Sequence, residues 1–428
     1  MQHKSIPTII ILFFVVSFAA SGQKQINSPY ARFNIGTLEQ AASFKSLGMG
    51  GIGVGMRSGS SIFFANPASY SSIDTNSFSF DFGLDYGIIR LSDKKNHFRS
   101  DDMNFDHLIM GFPIAKGFGV AVGIVPLSSG YYKLSESVLK TDPDYDPLVG
   151  QYTSSHSGDG GFNNFFIGTG LKINKNFSVG INMNLLFGQV NRSYLVNFDD
   201  YANVYQNNAT ENLEMHGVNL NYGLQYTALL KNDYFLNAGL TFTAGKNYKT
   251  DYRQLAYKYT AFNTRDTISY VADDSTRAFI PGSVGLGFTF GKINKFTAGF
   301  DYIITKWSDA KIPGTGSYTA DSKSFRFGIE YIPDKYSNYS LIKRLEYRAG
   351  GHLGDTYLVI KNEQIKEYGA SFGLGIPMKR SYSRTNLFFD FTRRYGSGTG
   401  TIHIEDYFTL GVSLNLFDNF WFLKRKYD

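Results

Sequence analysis

The sequence predicts an all-β protein, a transmembrane antiparallel β-barrel of about 14 strands with an N-terminal hatch in its lumen. Three observations carry this reading. Apolar residues alternate with small or charged ones at period two from Phe78 onward, no apolar run beyond residue 22 reaches the length of a membrane helix, and the connections alternate between tight turns and long loops. Composition points the same way: 30 Tyr, 38 Phe and 45 Gly stand beside only 11 Pro, the bulk character of a barrel that presents aromatics to lipid and small residues to its lumen.

The first element reads as a secretory signal peptide over 1–22. His3 and Lys4 precede an apolar run from Ile9 to Ala20, and Ala20-Ser21-Gly22 offers small residues for cleavage, so the mature chain is expected to begin at Gln23. The chain has no cysteine, which removes disulfides, thiolate metal sites and a lipidated cysteine from consideration. The net charge of +6 is scattered apart from Lys424-Arg425-Lys426, so no nucleic-acid partner is expected.

Residues 23–74 lack the alternation and are rich in Ala, Gly and Ser, with a short helix expected near Thr37 to Leu47. Such a segment is too small to build a core of its own. It can instead fill a lumen, where backbone must approach backbone closely. Gly48-Met49-Gly50-Gly51-Ile52-Gly53 also fits the dinucleotide spacing G-x-G-x-x-G. That motif requires a strand before it, a helix after it and an acidic residue about 20 positions on; Ala41 to Leu47 is helix-like, and a Ser/Gly-rich run ending in Asn66-Pro67-Ala68 follows. Gly48, Gly50, Gly51, Gly53, Asn66, Pro67 and Ala68 are therefore assigned to a hatch.

The barrel is expected over 75–428, with strands near 77–88, 103–113, 118–129, 162–174, 176–192, 211–229, 233–250, 279–291, 293–307, 322–333, 344–358, 363–377, 384–396 and 406–421. In the first, Phe78, Phe80, Phe82, Leu84 and Tyr86 share one face and Ser79, Asp81, Gly83, Asp85 and Gly87 the other; in the tenth, Phe325, Phe327, Ile329 and Tyr331 oppose Ser324, Arg326, Gly328 and Glu330. The second face of each is the lumen face. It carries Asp81, Asp85, Asp301, Arg326, Glu330, Asp390 and Arg394, of both signs, which are expected to pair across the wall or with the hatch because an unpaired buried charge is expensive. Tight turns such as Ala115-Lys116-Gly117 and Leu230-Lys231-Asn232 alternate with loops such as Gly130 to Gly161 and Thr250 to Ala278, placing short turns in the periplasm and long loops outside. Trp307 and Trp421, at opposite strand ends, are expected in the two aromatic girdles.

Gly48-Met49-Gly50-Gly51 with Asn66-Pro67-Ala68, ahead of about 14 strands, resembles the FadL family of outer-membrane fatty-acid and hydrocarbon transporters. Ser28 to Gly36 and Trp421 to Lys426 resemble its Bacteroidetes branch, which includes barrels similar to the type IX secretion component PorV. The resemblance implies a hatch plugging the lumen and a distorted third strand that opens a side window. Here that strand carries Pro126, which lacks an N–H and breaks the ladder, so Pro126, Ser128 and Gly130 are the lateral-gate candidates; a rim bulge is the alternative reading.

No enzymatic activity and no cofactor are expected. Ser154-Ser155-His156-Ser157-Gly158-Asp159 is contiguous, whereas a triad converges from separate segments. Asp142-Pro143-Asp144-Tyr145-Asp146 begins like a calcium loop but has Pro147 where glycine is needed and Thr153 where the bidentate Glu belongs, which reads as a solvated turn, with a weak calcium site in the second outer loop as the alternative. Two functions remain: passive uptake of hydrophobic small molecules with lateral exit, or a non-transporting outer-membrane subunit or scaffold of a protein secretion or barrel-assembly complex. Expected partners are outer-membrane lipid with, respectively, a hydrophobic small molecule or other envelope proteins.

Overall fold

The protein is described from a computed structural model covering residues 27–92, 97–198, 206–259, 265–314, 318–378, 381–396 and 404–419. The expected signal peptide and Trp421 lie outside the described residues. Fourteen antiparallel strands close into a barrel. In chain order they are β1 (Phe78–Ser92), β2 (His97–Ala115), β3 (Phe118–Ser129), β4 (Tyr152–Lys172), β5 (Phe177–Phe198), β6 (Gln206–Leu229), β7 (Tyr234–Thr243), β8 (Ser283–Lys292), β9 (Phe296–Thr305), β10 (Ser322–Tyr331), β11 (Glu346–Ile360), β12 (Glu363–Pro377), β13 (Arg384–Gly396) and β14 (Ile404–Asp418). Each pairs with its sequence neighbour, and β14 closes on β1 from Phe78↔Asp418 to Ser92↔Ile404. Closure removes the exposed sheet edge, the only way a sheet can satisfy its backbone in lipid.

The alternation sets the two faces. Phe325, Phe327, Ile329 and Tyr331 point outward and are exposed, while Gly328 and Glu330 are buried inside. Leu240, Phe288, Phe300 and Leu410 continue the outward apolar belt on other strands. Ile329, 48% exposed on that belt, gives a direct test: Ile329→Arg is expected to destabilise the barrel by about 2–4 kcal/mol if it lies near the bilayer midplane, measured as a loss of heat-resistant mobility in gels. Unchanged stability would mean that the outward face does not meet lipid.

Loop lengths sort less cleanly than the sequence suggests. Lys361 and Asn362, both at positive φ, form a two-residue hairpin on the long-loop rim, and 332–345 is a long connection on the opposite rim. Much of the expected loop sequence is strand. Tyr132–Val138 pairs with the end of β4, and Lys246–Tyr259 pairs with the end of β6 and with Arg265–Asp273, so β4 to β6 continue beyond the barrel as an outer sheet. The helix expected from Thr37 to Leu47 is instead a two-residue strand, Thr37–Leu38, and a single turn, Phe44–Leu47.

Residues 27–73 lie inside the barrel. Phe44 packs on Phe388 of β13, Ile62 meets β2 at Gly111, Tyr70 meets β3, Pro67 meets β4 and β5, Val54 meets β7 and Met49 meets β10 and β11. These contacts fill much of the interior with chain.

Candidate functional site

The inner segment is fitted to the wall backbone to backbone. A methyl group at Gly328 would sit 2.2 Å from the Met49 carbonyl oxygen, and one at Gly350 would sit 2.2 Å from the Met49 carbonyl carbon. Gly50 and Gly51 turn the chain there at φ +70° and +82°, a region side chains rarely adopt. Gly50 N–H donates to Ser371 Oγ at 2.8 Å, and the Gly51 carbonyl accepts from Arg326 Nη1 at 3.1 Å. Gly53 and Val54 N–H both donate to Asp301 Oδ2, at 2.6 and 2.8 Å. Gly48 closes the Phe44–Leu47 turn and lies against Gly373 of β12. Asn66 caps the 3-10 helix Pro67–Ser72 by accepting from Ala68 N–H at 3.1 Å, and its amide nitrogen donates to the Val54 and Leu224 carbonyls at 2.9 and 3.2 Å. Pro67 stands at the first helical position, where no N–H is needed.

The lumen charges meet partners. Glu330 accepts from Arg348 at 2.7 Å and pairs with Lys45 of the inner segment at 3.1 Å; Glu346 pairs with Arg348, with Arg384 at 3.4 Å and with Lys45 at 3.9 Å. Arg394 donates to Glu367 at 3.0 Å, Asp390 accepts from Thr392 at 2.6 Å, and Asp81 lies 3.4 Å from His107. Asp85 is buried on the same face of β1 as Asp81. Lys45, Glu346, Arg348 and Arg384, the heart of this lattice, escaped the sequence reading. The alternation that selects Glu330 would also have found Glu346 and Arg348, which share a face of β11 with Gly350.

The wall is interrupted at β3. Its ladder to β2 runs from Ala115↔Phe118 to Leu108↔Ile124 and stops there, although both strands continue. On its other side β3 stays paired with β4, with a bulge between Pro126 and Ser128. Beyond Ile124, β3 takes a new partner from the inner segment: Thr37↔Ser129 and Leu38↔Ser128, with Glu39 N–H donating to the Leu127 carbonyl at 2.9 Å. Gly130 then turns away, its N–H bonded to the Gly160 carbonyl at 2.9 Å. A proline that cannot serve a ladder stands where the strand changes partner.

Behind this break lies a cavity of about 430 Å³, lined by Leu38, Glu39, Val125 and Leu127 on one side and by residues of β4 to β13 and of the inner segment elsewhere. Trp307 lines it too. At 5% exposure and 4.6 Å from the Tyr357 ring, Trp307 is not in a membrane girdle; the chain leaves β9 at Thr305 and turns inward through Trp307–Asp309, carrying the indole into the barrel mouth. Tyr132, within the Gly130 to Gly161 stretch expected as an outer loop, is likewise fully buried, against Gly158.

Two other sequence candidates are placed. Ser154 Oγ and His156 Nε2 come within 3.0 Å on the outer part of β4, but His156 Nδ1 has no hydrogen-bond partner among the described residues, so the pair lacks the acid of a triad. Asp142 accepts from Leu139 N–H at 2.7 Å and Asp146 from Leu148 N–H at 2.9 Å, which makes that stretch a capped turn.

A family model described as BamG matches residues 2–428. No curated protein matches the chain. Among solved structures, the CymD monoaromatic hydrocarbon channel superposes with a TM-score of 0.58 at 14% identity, covering 88% of this chain and 97% of that one. The Ralstonia pickettii toluene transporter TbuX gives 0.57 at 13%, over 87% and 97%. A Pseudomonas aeruginosa FadL homologue gives 0.57 at 13%, over 90% and 99%. At such identities the likeness is one of fold.

Proposed function

The chain belongs to the BamG family, and from its barrel fold and the break in β3 we propose that it is an outer-membrane barrel of a Gram-negative envelope that passes small hydrophobic molecules from the long-loop side sideways into lipid. The observation that carries this reading is the partner change of β3. Straight passage is blocked by the inner segment, whereas Val125 and Leu127 border both the cavity and the interrupted β2–β3 ladder. Backbone left unpaired in lipid is costly, so the strand Thr37–Leu38 acts as a removable seal over that opening. The solved channels that share the fold are described as hydrocarbon channels or toluene transporters, which supports the same ligand class.

Pro126→Val tests it. Restoring an N–H and a β-branched side chain favours continued pairing with β2, and uptake of toluene by cells carrying the variant is expected to fall several-fold with surface abundance unchanged. Normal uptake by the variant, or none by the parent, would remove the transport reading.

A second reading, a partner subunit of a secretion or barrel-assembly complex, is favoured by the 332–345 connection. It holds Tyr336, Tyr339 and Ile342 out into solvent, yet is tied down by Asp334 N–H to the Lys343 carbonyl at 2.7 Å, Lys335 to Asn294 at 2.7 Å and Lys295 to the Pro333 carbonyl at 2.6 Å. An ordered loop presenting apolar side chains suits a protein partner. Under this reading Tyr339→Asp with Ile342→Asp releases co-purifying envelope proteins while the parent takes up no toluene.

A further inference from the structure

One wall of the cavity carries a feature that a purely hydrocarbon ligand does not require. Across six consecutive strands, Asn182 of β5 stands opposite Asn221 of β6, Asn221 opposite Thr243 of β7, Thr243 opposite Ser283 of β8, Ser283 opposite Thr305 of β9 and Thr305 opposite Ser322 of β10. All six line the cavity. Because side chains at matched register share one face of the sheet, this is a single continuous rung of amides and hydroxyls. Asn184 and Asn219, also opposite one another and also lining the cavity, extend it by a second step.

Part of the rung serves the fold: Asn182 donates to the Phe64 carbonyl at 3.3 Å and Asn219 to the Ala244 carbonyl at 3.1 Å. The stretch from Asn221 to Ser322 is freer. Asn221 donates to Thr243 Oγ1 at 2.9 Å, but its buried Oδ1 has no hydrogen-bond partner among the described residues. Thr243, Ser283, Thr305 and Ser322 are partly open toward the cavity. An orphaned buried acceptor is costly unless a bound molecule supplies the donor. Three charged groups of the lining already engage protein: Arg394 holds Glu367, and Arg326 holds the Gly51 carbonyl. The apolar remainder, Leu38, Leu127, Ile280 and Leu358, suits a hydrocarbon or aromatic body.

We infer that the cavity binds an uncharged amphiphile whose hydroxyl-rich head lies along the Asn182 to Ser322 rung and whose apolar body lies against Leu38 and Leu127, in chemical class a neutral glycoside. The inference rests on the reading of this cavity as the ligand chamber and narrows it. Its test is an equilibrium one that needs no lateral exit, so it can fail while transport stands, and the reverse.

The probe is p-nitrophenyl β-glucoside, dialysed against the full chain in lipid nanodiscs with empty nanodiscs as the reference. Saturable binding is expected for the parent. Asn221→Leu with Thr243→Val is expected to weaken it at least tenfold, and Ser283→Ala with Thr305→Val, a milder pair that leaves the amides in place, at least threefold, both with heat-modifiable mobility retained. The same ring carried as p-nitrobenzoate or p-nitrotoluene is expected to bind at least tenfold more weakly than the glucoside. Absence of saturable glucoside binding, equal binding of either analogue, or unchanged affinity in a folded rung variant overturns the assignment.

Discussion

Glu346→Gln is expected to destabilise the folded barrel by about 3–5 kcal/mol, the usual consequence of removing one member of a buried ion pair. Glu346 is 5% exposed and pairs with Arg348, Arg384 and Lys45. Its loss leaves Arg348 and Lys45 sharing Glu330, and leaves Arg384 with only the Ser60 and Ser61 hydroxyls. The readout is the urea midpoint for loss of compact mobility in detergent micelles. The sign of the effect has an internal check: Arg384→Gln in the same chain removes one surplus cation and is expected to restore much of the loss, because the interaction is between neighbours and therefore non-additive. If the double variant is as unstable as the sum of both single variants, the lattice is not what holds Lys45 and the inner segment in place.

The second large effect is steric. Gly328→Leu or Gly350→Leu drives a side chain into the Met49 backbone, 2.2 Å from where the new Cβ would lie. Overpacking of this kind costs about 1–3 kcal/mol where side chains can yield; here the obstacle is main chain pinned by Asp301 and Ser371, so the expected outcome is failure to fold or expulsion of residues 44–55 to protease. Phe327→Leu, outward on the same strand, is expected to be silent in both assays. The alternation places Gly328 on the lumen face, where an Arg is tolerated unless it collides with the hatch. Met49 fills the lumen at that level, so the collision is the expected outcome.

The fold was legible because lipid imposes a strict rule on the outward face. Phe325, Phe327, Ile329 and Tyr331 leave no doubt about register, and the same regularity located all fourteen wall strands. Where that rule stops, so does legibility. Tyr132–Val138 and Lys246–Tyr259 lie beyond the barrel wall, where water is acceptable on a face, and the alternation of Tyr132 and Leu134 with Lys133 and Ser135 is too short, broken at Glu136, to stand out as a strand. Trp307 is a different failure. Its position after β9 suggested an interfacial ring, but the turn that carries it inward is set by packing on Tyr357, which no local pattern announces. Pro126 announced a defect in the third strand but not what repairs it, since Thr37 and Leu38 are some 90 residues away in sequence.

That repair is the central claim, and the absence of cysteine from the chain permits a clean measurement of it. Leu38→Cys with Ser128→Cys places two thiols at facing positions of the strand pair between the inner segment and β3. His107→Cys with Val125→Cys places them where β2 and β3 would face each other if the ladder continued past Leu108↔Ile124. Facing cross-strand positions bring side chains within disulfide reach. The disulfide yield of the two variants, measured by gel shift after mild oxidation in native membranes, should be high for the first pair and near zero for the second. The opposite result, His107 joined to Val125 with Leu38 and Ser128 free, would describe an unbroken wall and contradict the account.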